Sequence, residues 1–258
     1  MRQTGVIFSH EFKQAFKSWK VLLIIILYIA LLFGCLFMFD FAEDKINDMR
    51  EQQSYGRAGD VDLYRDVERE FGSLGFIIPL LVSLVLIPFA VLFMTFYAVS
   101  SERNFNSIRY LASRVNRFSI IFGKLLSYIV VMLISVLIFY ALGSLYVHFK
   151  MGDTIVFQQF LYSFVFLTIY SMALISLIIF ISSLVKKPFS SLGWGLIGFV
   201  IMYVLMFIWE LKWISIFYYI REPLAGFSST AAINMLAFLI FTIVFLGLTY
   251  WKIGRTDL

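Results

Sequence analysis

Six long apolar runs constrain the fold of this chain more than any other feature of its sequence. They occupy residues 21–39, 74–99, 119–147, 156–185, 191–209 and 230–251. About 20 apolar residues suffice to cross a bilayer as a helix, in which the backbone satisfies its own hydrogen bonds. A closed β-barrel requires alternating polar and apolar residues, and these runs do not alternate. The sequence therefore predicts an all-α integral membrane protein with six transmembrane helices, in a single transmembrane domain spanning 1–258.

Composition excludes a soluble fold. Hydrophobic residues make up 61% of the chain and charged residues 14%, whereas soluble domains have about 45–50% apolar and 25% charged residues.

The single cysteine, Cys35, rules out an intrachain disulfide. We interpret the first apolar run as a span rather than a cleavable signal, because it is long and an acidic loop follows it.

Charge outside the runs predicts the orientation. Lys and Arg predominate in 1–20, 100–124 and 252–258, whereas the external loop 40–73 holds five basic and ten acidic residues. The positive-inside rule therefore places both termini in the cytoplasm. The loop 40–73 is too short for a hydrophobic core of its own, and we interpret it as a solvated, internally paired charged segment.

The stretch 100–124 is a basic interruption between two apolar runs. Four apolar residues recur at helical spacing: Ile108, Leu111, Val115 and Phe118. The charged residues are five basic and one acidic: Glu102, Arg103, Arg109, Arg114, Arg117 and Lys124. This pattern predicts a short amphipathic helix on the cytoplasmic rim, with one face on the membrane domain and the other free.

These residues resemble the first cytoplasmic loop of the type-2 ABC exporter permeases. The family pattern has a Glu, then Gly-Thr, a Leu-rich turn, Ser-Pro-Val-Ser-Arg, and a Gly-Lys that opens the next helix. The matching positions are Glu102, Leu111, Ser113, Val115, Arg117, Gly123 and Lys124. Asn106, Ser107 and Arg114 depart from it. The resemblance implies a coupling loop, 100–118, that docks on a separate ATPase through Glu102 and Arg117, with Arg103, Arg109 and Arg114 beside them. The pattern is also compatible with a positive-inside loop that has no partner.

Two further segments extend the resemblance. Residues 1–20 carry Phe8, Phe12, Phe16 and Trp19 at helical spacing, which predicts an interfacial amphipathic helix. That segment is similar to the elbow helix of the permease family, and it is also compatible with a simple membrane anchor. Between the last two runs lie four aromatic residues of the kind found at membrane interfaces: Trp213, Phe217, Tyr218 and Tyr219. They resemble the re-entrant helices that cap the exit in these exporters, and they are also compatible with a plain interfacial segment.

Three glycines in the fifth run spell G-x-G-x-x-G: Gly193, Gly195 and Gly198. In a membrane helix such residues favour close helix packing rather than dinucleotide binding. We interpret them as a packing face, and we expect them to contribute to contact with a second subunit.

The energy for any transport has to come from another chain. No charged residue falls at the centre of a run, so there is no intramembrane group to couple ion movement. The chain also lacks the G-x-x-x-x-G-K-[ST] phosphate loop. We expect no metal, no cofactor and no catalytic site in this chain. The resemblance implies ATP and Mg²⁺ on a partner ATPase.

The sequence therefore predicts a permease subunit of an ABC exporter for an amphipathic substrate such as a peptide or lipid-like molecule. Six spans form half of the usual pathway, so we expect a second copy or a paralogue, surrounding lipid, no nucleic acid, and residence in a prokaryotic plasma membrane. Alternatives are a non-transporting scaffold or signalling subunit, a permease for an ion or sulfur species, and, least supported, an intramembrane enzyme. No residue identifies the substrate or its binding site.

Overall fold

The structure is a computed structural model that describes residues 2–17, 74–101, 116–151, 157–220 and 229–255, with isolated positions between 26 and 37. Most of the predicted first span, all of the external loop 40–73 and most of the predicted coupling loop lie outside these ranges. Among the isolated positions, Phe33 packs edge-on against Tyr146, with ring centroids 5.8 Å apart.

Every regular element in the described ranges is helical. The six α-helices are α1 (Arg2–Lys17), α2 (Leu74–Thr95), α3 (Arg117–Met151), α4 (Phe157–Leu184), α5 (Pro188–Leu205) and α6 (Ser229–Arg255). Two 3₁₀ segments separate α5 from α6, namely η1 (Lys212–Ile214) and η2 (Ile216–Ile220). The predicted all-α membrane fold is confirmed in these ranges.

Four of these helices are long and apolar enough to cross a bilayer. Their spans are Phe118–Tyr146, Phe160–Leu184, Pro188–Leu205 and Ala232–Ile253. Helix α2 adds a shorter apolar stretch, Leu80–Thr95. The count of six spans remains a prediction, because the first predicted span is outside the described ranges.

Helix α4 is the centre of the bundle. It packs against α2, α3, α5 and α6, and 61% of its span is buried, compared with 17% of the span of α5. Residues 173–179 are all buried, so α4 is enclosed on every side there. Its polar groups are accommodated locally, since the hydroxyls of Thr168, Ser171 and Ser176 donate to carbonyls of their own helix. These three hydroxyls therefore add little polarity to the surrounding core.

The tight turn between α4 and α5 follows from its sequence. Pro188 begins α5, where its missing N–H costs no hydrogen bond. Lys187 before it is extended, with φ −97° and ψ 132°, as expected for a residue that precedes proline. The chain therefore leaves the helical conformation at the two lysines, Lys186 and Lys187, and becomes helical again from Pro188.

The glycines of α5 pack inside the chain. A Cβ on Gly195 would meet the side chains of Leu92 in α2 and Ile178 in α4, and a Cβ on Gly198 would lie 2.8 Å from Ile181 of α4. Among the described residues, no atom beyond its chain neighbours and the backbone of its own helix lies within 4 Å of such a Cβ on Gly193. The interpretation as a helix-packing face is therefore confirmed for Gly195 and Gly198, whose neighbours lie in α2 and α4 of the same chain. Contact of the glycine face with a second subunit stays a prediction.

Candidate functional site

Most residues of the predicted ATPase-coupling loop lie outside the described ranges. Glu102, Arg103, Arg109 and Arg114 are among them, and Arg117 is described only as the first residue of α3. Their role in coupling remains a prediction. The structure does describe both points where this loop joins the bundle, at Ser101 and Asn116. We call this end of the bundle the loop end.

The loop begins at a break in α2. Regular helix ends at Thr95 rather than at 99, and residues 96–99 form turns. The amides of Val99 and Ser100 donate to the Ser182 hydroxyl of α4, at 3.2 and 3.0 Å. The Ser182 hydroxyl donates in turn to the Phe96 carbonyl at 3.0 Å. The start of the loop is therefore tied to α4 by directional hydrogen bonds.

The loop ends against α1. A Cβ on Gly123 of α3 would lie 2.9 Å from Cγ2 and 3.1 Å from Cβ of Ile7, so the two helices touch at this glycine. One turn later, the Ser127 hydroxyl lies 3.2 Å from the Phe8 carbonyl and 2.8 Å from the Gly123 carbonyl, and donates to both. Helix α1 thus packs directly on the segment that follows the loop.

Gly123 and Lys124 do not open a helix, which corrects the expectation from the family pattern. Helix α3 begins at Arg117 and already includes both residues. Phe118, assigned above to the amphipathic stripe of the loop, also lies in α3, is exposed, and stacks on Phe122 with centroids 5.6 Å apart. Lys124 is only 3% exposed. Its charge is therefore enclosed by protein rather than displayed on the loop surface.

At the opposite end, η1 and η2 contain the predicted exit residues, and we call this the cap end. Helix α5 stops at Leu205 rather than continuing to 209. The Ser215 hydroxyl donates to the Met202 carbonyl of α5 and accepts the amide of Phe217. The segment is therefore fastened to the last turn of α5.

Two of the four cap aromatics face the bundle. Phe217 packs edge-on against Phe199 and Tyr203 of α5, with centroids 6.1 and 6.3 Å apart. Tyr219 packs edge-on against Phe238 and Phe241 of α6, at 6.2 and 5.9 Å. Edge-to-face pairs of this kind stabilise by roughly 0.5–1.5 kcal/mol each beyond burial. The cap therefore bridges α5 and α6.

The buried side of the cap continues into the core. Phe238 of α6 contacts Phe166 and Tyr170 of α4, with centroids 5.6 and 5.5 Å apart. All three side chains are fully buried. A continuous aromatic path thus leads from Tyr219 to the central helix.

The other two cap aromatics, Trp213 and Tyr218, contact the side-chain ammonium of Lys212. The ammonium of Lys212 lies 3.8 Å from the ring centroid of Trp209, and 5.2 and 5.3 Å from those of Trp213 and Tyr218. A cation is attracted to each ring face at such distances. Trp209 and Trp213 are 80% and 58% exposed, as expected for interfacial aromatic anchors.

Burial and the neighbouring Tyr218 raise the pKa of Tyr219 above its ordinary value. The Tyr219 hydroxyl therefore stays protonated and donates to the Trp213 carbonyl at 3.1 Å. This bond joins η2 to η1.

Sequence reasoning missed the three contacts that define the two ends: Ser182 in the α2 break, Gly123 against Ile7, and Lys212 among the rings. The signals were present but weak. Ser182 and Ser183 form a hydroxyl pair near the end of an apolar run, and Lys212 lies between two tryptophans. Neither sequence pattern indicates which helix or ring the side chain contacts in the folded chain.

Comparison with known families gives a match across nearly the whole chain. The family described as ABC-2 family transporter protein matches residues 6–258. The comparison with curated proteins found no match.

Proposed function

The chain belongs to the ABC-2 transporter family, and we propose that it is the permease subunit of an ATP-driven exporter. The family match over 6–258 carries this proposal. The helical bundle of membrane-length spans agrees with a membrane-embedded transport component. Proteins of this family generally form the transmembrane part of the transporter and leave the nucleotide chemistry to another subunit.

The assignment of ATP hydrolysis to a partner subunit, and of the transmembrane pathway to this chain, follows from the sequence. Because the chain has no phosphate-binding loop, a partner ATPase would bind ATP and Mg²⁺ on the cytoplasmic side. Phosphoryl transfer depends on positioned phosphates and metal, which the partner would supply. This chain would convert closure of the ATPase into movement of its helices.

We assign the docking surface to the loop containing Glu102, Arg103, Arg109, Arg114 and Arg117. Two contacts at its ends support this assignment. Ser182 ties the loop start to α4, and α1 packs on the segment after the loop at Gly123. A force applied to the loop would therefore be transmitted to the central helix α4 and to α1 at the same time.

The cap end supports an amphipathic cargo. Its walls are aromatic, and Lys124, the one buried charged side chain in the described ranges, lies at the loop end. Walls of this kind offer apolar contact, roughly 25 cal/mol per Å² of buried apolar surface. The Lys212 ammonium at the cap already lies over the rings of Trp209, Trp213 and Tyr218, so we propose that the cap favours apolar contact over replacement of the water shell of an ion. A peptide or lipid-like molecule would leave past Trp213 and Tyr219.

A second permease subunit, identical or paralogous, would complete the pathway. Helix α5 supports this part of the proposal because only 17% of its span is buried in the chain. A second subunit would cover part of the exposed apolar surface of α5. We place the assembly in a prokaryotic plasma membrane with both termini in the cytoplasm, following the basic loops.

The test is purification of the chain from its native membrane, followed by reconstitution. We expect an ATPase to co-purify and its ATP turnover to rise with membrane-active peptides or lipids. Co-purification of a non-ATPase alone would refute the transporter assignment and favour a scaffold. Stimulation by sodium or sulfur salts alone would refute the amphipathic cargo and leave the transporter assignment in place.

A further inference from the structure

A side chain from α4 is inserted into the hydrogen-bond ladder of α2. In an uninterrupted helix the amide of Ser100 would donate to the carbonyl of Phe96. Here the Ser100 amide donates to the Ser182 hydroxyl at 3.0 Å, and that hydroxyl donates to the Phe96 carbonyl at 3.0 Å. Insertion of a side chain into the ladder is a recognised cause of helix breaks. It explains why α2 stops at Thr95 within a run that stays apolar to 99.

Ser182 uses its full hydrogen-bonding capacity at this point. A hydroxyl has one donor and two acceptor sites, and Ser182 donates to Phe96 while accepting from Val99 and Ser100. Ser182 and Ser100 are both fully buried, so water cannot replace these bonds without a movement of the helices.

Another buried hydroxyl on α4 behaves differently. Ser176 is equally buried, and it donates to the Ala173 carbonyl within α4. Such a bond leaves the helix free to slide past its neighbour. The three bonds of Ser182 join two helices, and they weaken steeply if the distance or angle changes.

We propose that Ser182 is a positioning residue for the coupling loop, fixing its first residues to the central helix so that displacement of the loop moves α4. The inference rests on the proposed function, because it requires that the loop receives the motion of an ATPase. Without the hydroxyl, the loop start would meet α4 through apolar contacts, which tolerate sliding.

The experiment uses the complex of this chain with the ATPase that co-purifies with it. Ser182→Ala removes the three bonds, and Ser176→Ala is the matched control because it removes a buried hydrogen bond to a carbonyl of α4 itself. Ser182→Thr retains a hydroxyl and tests for rescue. We would measure complex yield, kcat and KM for ATP, and hydrogen exchange of the Val99 and Ser100 amides with and without a non-hydrolysable ATP analogue.

In the wild-type complex we expect exchange at Val99 and Ser100 to change when the analogue binds. In Ser182→Ala these amides should exchange about tenfold faster in both states, because their buried acceptor is gone. The kcat for ATP should shift by roughly threefold or more while KM for ATP and complex yield stay near wild type. Ser176→Ala should match the wild type, and Ser182→Thr should restore the nucleotide-dependent exchange.

A Ser182→Ala complex indistinguishable from Ser176→Ala in exchange and kcat would overturn the inference alone. If the Ser182→Ala complex does not assemble, hydrogen exchange in the wild-type complex is the deciding measurement. Exchange at the Val99 and Ser100 amides that changes with nucleotide supports the positioning role of Ser182, and exchange that does not change refutes it. A wild-type chain that associates with no ATPase would refute the proposed function and this inference together.

Discussion

Gly123 provides a quantitative test of the contact between α1 and α3. A methyl group at this position would lie 2.9 Å from Cγ2 and 3.1 Å from Cβ of Ile7. The Cβ of Ile7 is fixed to the backbone of α1, so a rotamer change cannot move it and the helices have to separate. Overpacking of this kind typically costs about 1–3 kcal/mol.

Gly193→Ala is the matched control. It lies in α5, where no described atom beyond its chain neighbours and the backbone of its own helix comes within 4 Å of an added Cβ, so we expect only the backbone effect to remain. That effect favours alanine in a helix by roughly 1 kcal/mol at either position. The difference between Gly123→Ala and Gly193→Ala therefore isolates the steric cost of about 1–3 kcal/mol.

The assay is thermal unfolding of each variant in detergent, with trypsin cleavage after the exposed Lys13 as a local probe of α1. At roughly 2–4 °C per kcal/mol for a chain of this size, Gly123→Ala should melt several degrees below Gly193→Ala and be cleaved faster. Adding Ile7→Gly, which removes both Cγ2 and Cβ, to Gly123→Ala should remove most of the steric cost, giving a coupling energy of about 1 kcal/mol or more. Equal melting of the two glycine variants, with no coupling to Ile7, would refute the close approach of α1 and α3.

Three further predictions concern the two ends of the bundle. Arg117→Ala should reduce ATPase co-purification by tenfold or more, since loss of a central interface arginine commonly costs about 2 kcal/mol; membrane insertion should be unchanged, and equal loss in Lys187→Ala would contradict a specific role. Ser215→Ala should destabilise the cap by roughly 1–2 kcal/mol, because a carbonyl of α5 and an amide of η2 lose their partner; unaltered tryptophan emission during denaturant titration would count against this contact. Because the pKa of Tyr219 is raised above the usual 10.0, its hydroxyl should remain a donor at pH 10 and be lost only at higher pH. Absorbance difference spectra of wild type and Tyr219→Phe would test this, and ionisation of Tyr219 at or below pH 10 would refute it.

The helical character of the bundle could be predicted from the sequence because it depends on local hydrophobicity. A run such as 156–185 has to form a helix in a bilayer, whatever its neighbours are, and α4 occupies Phe157–Leu184. The family could be recognised from the sequence for a similar reason, since the loop pattern is contiguous along the chain. The match over 6–258 confirms that recognition.

The packing partners of small residues could not be predicted. Gly193, Gly195 and Gly198 look equivalent in the sequence, yet only the last two lie against α2 or α4. A glycine shows that close approach is possible but carries no side chain that could select a partner.

The C-terminal ends of α2 and α5 were decided by tertiary contacts. Apolarity continues to 99 in α2 and to 209 in α5, but regular helix stops at Thr95 and Leu205. At these ends, hydroxyls from distant positions, Ser182 and Ser215, bond to backbone groups near the last turn. The sequence alone determined which segments are helical and membrane-embedded, because burial in lipid depends on local composition. Only the tertiary structure decided where those helices break, because a break depends on a hydrogen bond from a residue far along the chain.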